Sequence, residues 1–166
     1  MNHSAMHASN RNEWETPDWL FARVNGIYSL SIDVCALPKN AKLPRYWSPA
    51  DDGLAQDWSA ERCWMNPPYG KQIAAWCKKA ADESANGAFV VALLPARTET
   101  RWWFDYVLRA RLIRFLKGRL RFGDMTTNAP FPNALIVWEG VGASRMPSVQ
   151  WRDMRNEPEG KEEGDS

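Results

Sequence analysis

The sequence predicts an α/β domain built on a mostly parallel sheet with one antiparallel edge strand. Three observations predict it. Helix-like and strand-like segments alternate along the chain, the pattern of an α/β domain. One strand-like segment, AFVVALLPA at 88–96, is apolar throughout, as a strand buried on both faces is. The last two strand-like segments have no helix between them, which calls for an antiparallel pairing.

The elements follow in order. TPDWLFARVN opens with Thr16 as candidate N-cap and Pro17 at the first helical position, and Trp19, Leu20, Phe21 and Val24 form its apolar face. YSLSIDVCAL alternates and is rich in β-formers, so it reads as a strand ending near Asp33. A polar loop with three prolines then runs over 38–59, and loops of that length in compact domains are usually functional. RCWMN is a short strand stopped by Pro67. KQIAAWCKKAADESANG is helical, with Ile73, Trp76, Cys77 and Ala80 on one face and Gly87 as the stop. After the buried strand, ETRWWFDYVLRA is a further amphipathic helix. LIRFLKGRLRF and ALIVWEG close the series as strands. Residues 1–12 read as a disordered leader, 13–150 as the folded domain and 151–166 as a charged flexible tail.

Composition narrows the class. With 166 residues and 45% apolar content the chain can bury one core. Its net charge of +1 names no partner, but the stretch from Ala96 to Arg121 holds eight basic residues against Glu99 and Asp105, an excess that suits either a phosphate-facing surface or an ordinary solvated helix face. Cys35, Cys63 and Cys77 show no paired spacing, which points to a reducing cytoplasm, and Cys63 and Cys77 read as small core residues. The N-terminus has no apolar signal region and no run is long enough to span a membrane. Both histidines, His3 and His7, lie in the leader, which argues against a metal site. Trp102 and Trp103 read as packing residues, and Asp51 and Asp52 as solvated loop acids.

Asn66-Pro67-Pro68-Tyr69 is the candidate segment for chemistry, with a purely rigid turn as the alternative. Two consecutive prolines cannot continue a central strand or sit inside a helix, so the four residues form a rigid loop at a strand end. In open α/β sheets that end is where ligands bind, and Asp33 is expected at a second such end.

These residues resemble a family. Asn-Pro-Pro-Tyr at a strand end is similar to the signature of S-adenosylmethionine-dependent amino-group methyltransferases. The ordered set EWETPDWLF, DVCALPKN, DDGLAQDW, NPPYG, LLPARTETRWW and GRLRF looks like the small phage-type DNA N6-adenine methyltransferases, over roughly residues 13 to 140. The resemblance implies a single-domain Rossmann-like methyltransferase fold. It implies transfer of a methyl group from S-adenosylmethionine to the exocyclic amine of an adenine flipped out of double-stranded DNA, with no metal. Asn66 Oδ1 and the Pro67 carbonyl would accept the amine hydrogens, Pro68 would stiffen the loop, and Tyr69 would stack on the base. Asp33, Cys35 and Ala36 would lie beside the methionine part of the cofactor, Trp14, Thr16 and Pro17 near its carboxylate, and Asp57 near the adenosine. The DNA would meet Lys71, Arg97, Arg101, Arg119 and Arg121. The missing glycine-rich turn after the first strand departs from most enzymes of that fold. Enzymes that methylate RNA bases, cytosine N4 or protein glutamine solve the same problem of a planar amine or amide and stay open as alternatives, as does a catalytically silent nucleic-acid-binding domain.

Overall fold

The computed structural model describes residues 14–140 and 147–155. The expected leader lies outside the described residues, and so does the tail beyond Arg155. Three α-helices and six strands are described, in the order α1 (Asp18–Tyr28), β1 (Ile32–Asp33), β2 (Arg62–Met65), α2 (Ile73–Ala85), β3 (Phe89–Pro95), α3 (Arg101–Tyr106), β4 (Leu112–Leu116), β5 (Asn133–Glu139) and β6 (Ser148–Arg152). A short 3-10 turn, Val107–Arg109, follows α3.

Pro17, not Thr16, caps α1. Its carbonyl accepts from the amides of Leu20 and Phe21, both at 3.1 Å, and no side chain caps the helix. Leu20, Phe21, Val24 and Tyr28 are buried along one stripe, and Phe21 meets Trp64 of β2 edge to face at 5.4 Å between ring centres. The helix ends at Ser29, whose left-handed backbone (φ 49°) lets its amide reach the Asn25 carbonyl at 2.8 Å. β1 is only two residues long, and an isolated bridge from Asp33 to Tyr46 extends its edge.

All six strands join one sheet in the order β1-β2-β3-β5-β4-β6. β1, β2 and β3 are parallel neighbours; β5 is antiparallel to both β3 and β4; β6 is parallel to β4. The sheet is therefore mixed rather than mostly parallel, and its reversed strand is internal rather than at an edge. The physical reason is burial. Ala134 to Trp138 are all buried, and a strand with no polar face is best accommodated where both neighbours satisfy its backbone. β4 is placed one position beyond β3, and β5 returns into the gap between them. The expected strand over 112–122 ends at Leu116, ahead of Gly118 in the left-handed region (φ 76°). β6, absent from the sequence expectations, forms the far edge, and the boundary expected at 150 falls inside it.

β3 is buried along its whole length, which places it at the centre of the core. Trp103 stacks on Phe115 of β4 with rings 12° from parallel, so α3 packs on the sheet as the sequence periodicity predicts. No described helix is long and apolar enough to cross a membrane. The two strands that matter most for the site are β1 and β2. They run side by side in register, Asp33 opposite Trp64, so that Asp33 and Asn66 leave the sheet at the same end.

Candidate functional site

A cavity of about 280 Å³ opens at the carboxyl ends of β1 and β2. Its floor is the segment from Asp33 to Leu37 together with Asn66, Pro67 and Pro68, and its rim is the chain from Trp14 to Thr16. The volume lies just below the usual range for ligand sites, about 300 to 1,000 Å³.

Asn66 is oriented by the rim. Its Nδ2 donates to the Trp14 carbonyl and to Thr16 Oγ1, the latter at 2.9 Å. A carbonyl can only accept, so the amide must turn its nitrogen toward Trp14 and its oxygen the other way. Oδ1 is buried and has no hydrogen-bond partner among the described residues. A buried acceptor left unpaired is destabilising, and in native structures it calls for an explanation such as a role toward a ligand. The Cys35 thiol lies on the same floor. That thiol is pushed well above its ordinary value by desolvation and then by the neighbouring Asp33 charge, so it stays protonated.

Asp33 is 3% exposed. Oδ2 accepts from the Lys42 amide at 3.1 Å and Oδ1 from the Cys35 amide at 3.4 Å. Desolvation dominates these bonds and pushes the carboxyl up to about 6. Lys42 does not neutralise it with a contact, because its ammonium pairs instead with Asp18 at 2.7 Å and Glu15 at 3.4 Å. Asp33 is thus a buried carboxylate at a cavity wall, with no cation of the described residues paired against it.

The long loop between β1 and β2 forms the opposite wall. Asn40 Oδ1 accepts from the Leu37 amide at 2.8 Å, closing a tight turn after the floor. The rings of Trp47, Trp58 and Trp76 follow one another at 6.4 and 6.2 Å, each about 30° from parallel. Trp58 also donates through Nε1 to the Gly53 carbonyl at 2.9 Å. Gly53 is required there: a Cβ would lie 2.2 Å from the Val34 carbonyl oxygen and 3.1 Å from the Trp76 ring. The loop is long and polar in sequence, but three indoles pin it to α2.

Tyr69 lies behind the cavity. It is 3% exposed, its hydroxyl donates to the Leu93 carbonyl at 3.0 Å, and burial keeps that hydroxyl protonated. Its ring packs with Trp14, Phe122 and Phe131 at centre separations of 5.6 to 6.4 Å.

Of the residues expected at the site, Trp14, Thr16, Asp33, Cys35, Ala36, Asn66, Pro67 and Pro68 line this one cavity. Pro17 stands behind it as the helix cap, and Tyr69 joins it through the Trp14 ring. Asp57 is not in the lining; it is exposed, and its carboxylate accepts from the Ser59 amide at 2.8 Å. Asp52, read from sequence as a solvated acid, does line the cavity, as do Lys42, Trp47, Gly53 and Trp76. Only the length of the loop and its indoles signalled them. Lys71, Arg97, Arg101, Arg119 and Arg121 are all exposed. Arg97 lies over the Phe131 ring at 6.0 Å, beside the aromatic cluster, whereas Arg101 is paired with Asp105 at 3.1 Å. No cluster of three or more His, Cys, Asp or Glu able to hold a metal occurs among the described residues.

The arrangement can hold a cationic group against Asp33 and accept an N–H at Asn66 Oδ1, across a few residues of shared floor. Comparison with known proteins shows the family. Residues 3–149 match the family model described as DNA N-6-adenine-methyltransferase (Dam). A DNA N-6-adenine-methyltransferase of Haemophilus phage HP1 (strain HP1c1) is 27% identical over 147 residues, covering 84% of this chain and 85% of that protein. One of Escherichia phage T1 is 28% identical over 112 residues, 66% of this chain and 47% of that protein.

Proposed function

The chain belongs to the DNA N-6-adenine-methyltransferase (Dam) family, and from that membership we propose that it methylates N6 of an adenine flipped out of double-stranded DNA, with S-adenosylmethionine as donor. The observation that carries the reading is Asn66, a half-buried residue whose amide nitrogen is fully engaged and whose buried oxygen is left to accept. The fold is then a Rossmann-like methyltransferase fold whose sheet carries its reversed strand internally. The setting is the cytoplasm of a bacterial host.

The residues present fit the cofactor. The buried Asp33 carboxylate suits its cationic amino group, and the Trp47 and Trp76 walls suit its purine. When bound, S-adenosylmethionine supplies a methyl group on an electrophilic sulfonium. The chain's task is to make a poor nucleophile adequate. The lone pair of an exocyclic amine is delocalised into the ring, and attack requires the nitrogen to become tetrahedral. Asn66 Oδ1 accepts one amine hydrogen as that happens, and the Pro67 carbonyl accepts the other. Pro67 and Pro68 hold both acceptors in place, so little reorganisation accompanies the charge that develops on nitrogen. Tyr69 offers its ring to the extruded base. After transfer the amine sheds one proton, and those same acceptors lead it toward solvent.

Incubation with methyl-labelled S-adenosylmethionine and unmethylated duplex DNA, followed by nucleoside analysis, tests this. Label is expected in the N6-methyldeoxyadenosine of the DNA. Label confined to cytosine, to RNA or to protein would overturn the substrate, and absence of label from every polymer would overturn the enzyme.

A further inference from the structure

Asn133 carries the other buried amide oxygen of this region that has no partner among the described residues. It is the first residue of β5, it faces Pro95 across the ladder, and it is 1% exposed. Its Nδ2 donates to the Leu94 carbonyl at 3.2 Å and to Tyr69 Oη at 3.4 Å, and Tyr69 Oη donates onward to the Leu93 carbonyl at 3.0 Å. The direction of this chain is fixed. Both ends are carbonyls, which only accept, so Asn133 must give both its hydrogens and the tyrosine must give its one. The Asn133 Oδ1 left over is buried with no partner among the described residues. A leucine of similar volume would avoid that unpaired acceptor, yet the chain keeps the amide. Packing alone does not account for it.

We propose that Asn133 is a positioning residue for Tyr69: it ties the phenol to β3 and β5 so that the ring is already oriented when a base arrives. The inference rests on the reading of Tyr69 as the base-stacking residue. Tyr69 is attached to a loop at its Cα end, and its far end is the hydroxyl. Without a tether there, orientation depends on ring packing against Trp14, Phe122 and Phe131, and that packing changes if a base enters among them. The hydroxyl bonds do not have to change, because they point into the sheet. Linked donors in a buried chain polarise one another, which strengthens the tether. Asn133 touches neither base nor cofactor in this scheme and acts only through Tyr69.

The test compares Asn133→Leu, Tyr69→Phe and the double variant, using duplex DNA with 2-aminopurine at the target adenine to report on the extruded base. Asn133→Leu is expected to fold, to bind S-adenosylhomocysteine like the wild type, and to lower kcat about tenfold with a changed 2-aminopurine signal, because the stacking ring is no longer held in its productive orientation. In the Tyr69→Phe background the same change should have little further effect. A lowered melting temperature with wild-type kcat and fluorescence would reduce Asn133 to a structural residue. An equal loss in both backgrounds would show that it does not act through the hydroxyl. Should Asn133→Leu fail to fold, Tyr69→Phe removes the same tether, and wild-type kcat and fluorescence there would overturn the proposal. A wild-type protein that methylates no adenine fails the underlying reading before any variant is compared.

Discussion

Thr16 Oγ1 lies 2.9 Å from Asn66 Nδ2, across fifty residues of sequence, and that hydrogen bond leaves Asn66 Oδ1 as the unpaired half of a fixed amide at the cavity floor. Two variants separate the oxygen from its support. Asn66→Ala removes the acceptor and is expected to lower kcat about 10²- to 10³-fold, roughly 3 to 4 kcal/mol, with DNA binding retained. Thr16→Val removes one of two partners of the nitrogen and is expected to lower kcat by about tenfold, or roughly 1.4 kcal/mol, within the usual range for one hydrogen bond. Steady-state kinetics on the two folded proteins decides it. Near wild-type kcat in Asn66→Ala would make the loop a rigid turn and no more.

Asp33 predicts an inverted pH response. Burial raises its carboxyl to about 6, above the unfolded value, so the folded state prefers the protonated form. The stability this contributes is complete below about pH 4 and is lost as pH rises through 6, on the order of 3 kcal/mol. Asp33→Asn should therefore melt higher than the wild type at pH 7.5, with the gap closing toward pH 5. Ligand affinity should run the other way. S-adenosylhomocysteine, whose amino group is cationic, should bind the wild type more weakly as pH falls below 6 and bind Asp33→Asn weakly throughout. Melts and calorimetry across pH 5 to 8 test both, and a pH-independent affinity would remove Asp33 from the site.

The residues that can be read from sequence are those whose role is local. Two prolines force a loop after β2 wherever the rest of the chain goes, and an apolar seven-residue strand must be central, so Asn66 and β3 are legible. What the sequence hides depends on distant partners. Thr16 has the chemistry of a helix cap, but Asn66 claims its hydroxyl and Pro17 takes the capping position. β5 has the sequence of a closing strand, and only its pairing with both β3 and β4 makes it internal. Five residues such as SVQWR have too weak a pattern to be assigned before β4 offers an edge. Asp52 and Asp57 look alike in a loop, and the turn at Gly53 decides which one meets the cavity.

DNA binding should depend on which arginines are already engaged. Arg119 and Arg121 are exposed and have no carboxylate partner among the described residues, while Arg101 holds Asp105. Affinity for duplex DNA should fall steeply with salt, and removing one phosphate-binding cation should reduce the slope of log K against log salt by about 0.9. Arg121→Ala and Arg119→Ala are expected to show that reduction, and Arg101→Ala a smaller one, since its charge is partly compensated. Slopes equal to the wild type in all three would place the DNA on another face.

The last prediction concerns the loop that walls the cavity. Trp58 is fully buried between Trp47 and Trp76, and its Nε1 holds the Gly53 carbonyl at 2.9 Å. Gly53 in turn has no room for a side chain, because the atom a Cβ would meet first is a backbone oxygen of Val34, which cannot rotate away. Gly53→Ala must therefore shift the loop or the floor beneath it, at a cost of about 1 to 3 kcal/mol. Either movement reshapes the cavity, so cofactor affinity should fall together with stability. Trp58→Phe keeps most of the apolar volume but deletes the donor to Gly53, which should destabilise by about 1 to 2 kcal/mol and weaken the cofactor less than Gly53→Ala does. Both variants leave Asn66, Tyr69 and the basic surface untouched, so DNA affinity without cofactor should be unchanged. Thermal melts, S-adenosylhomocysteine calorimetry and DNA titration on the pair test each of these steps. A Gly53→Ala protein that melts and binds cofactor like the wild type would show that the loop yields freely, and the wall would then owe nothing to the indoles that pin it.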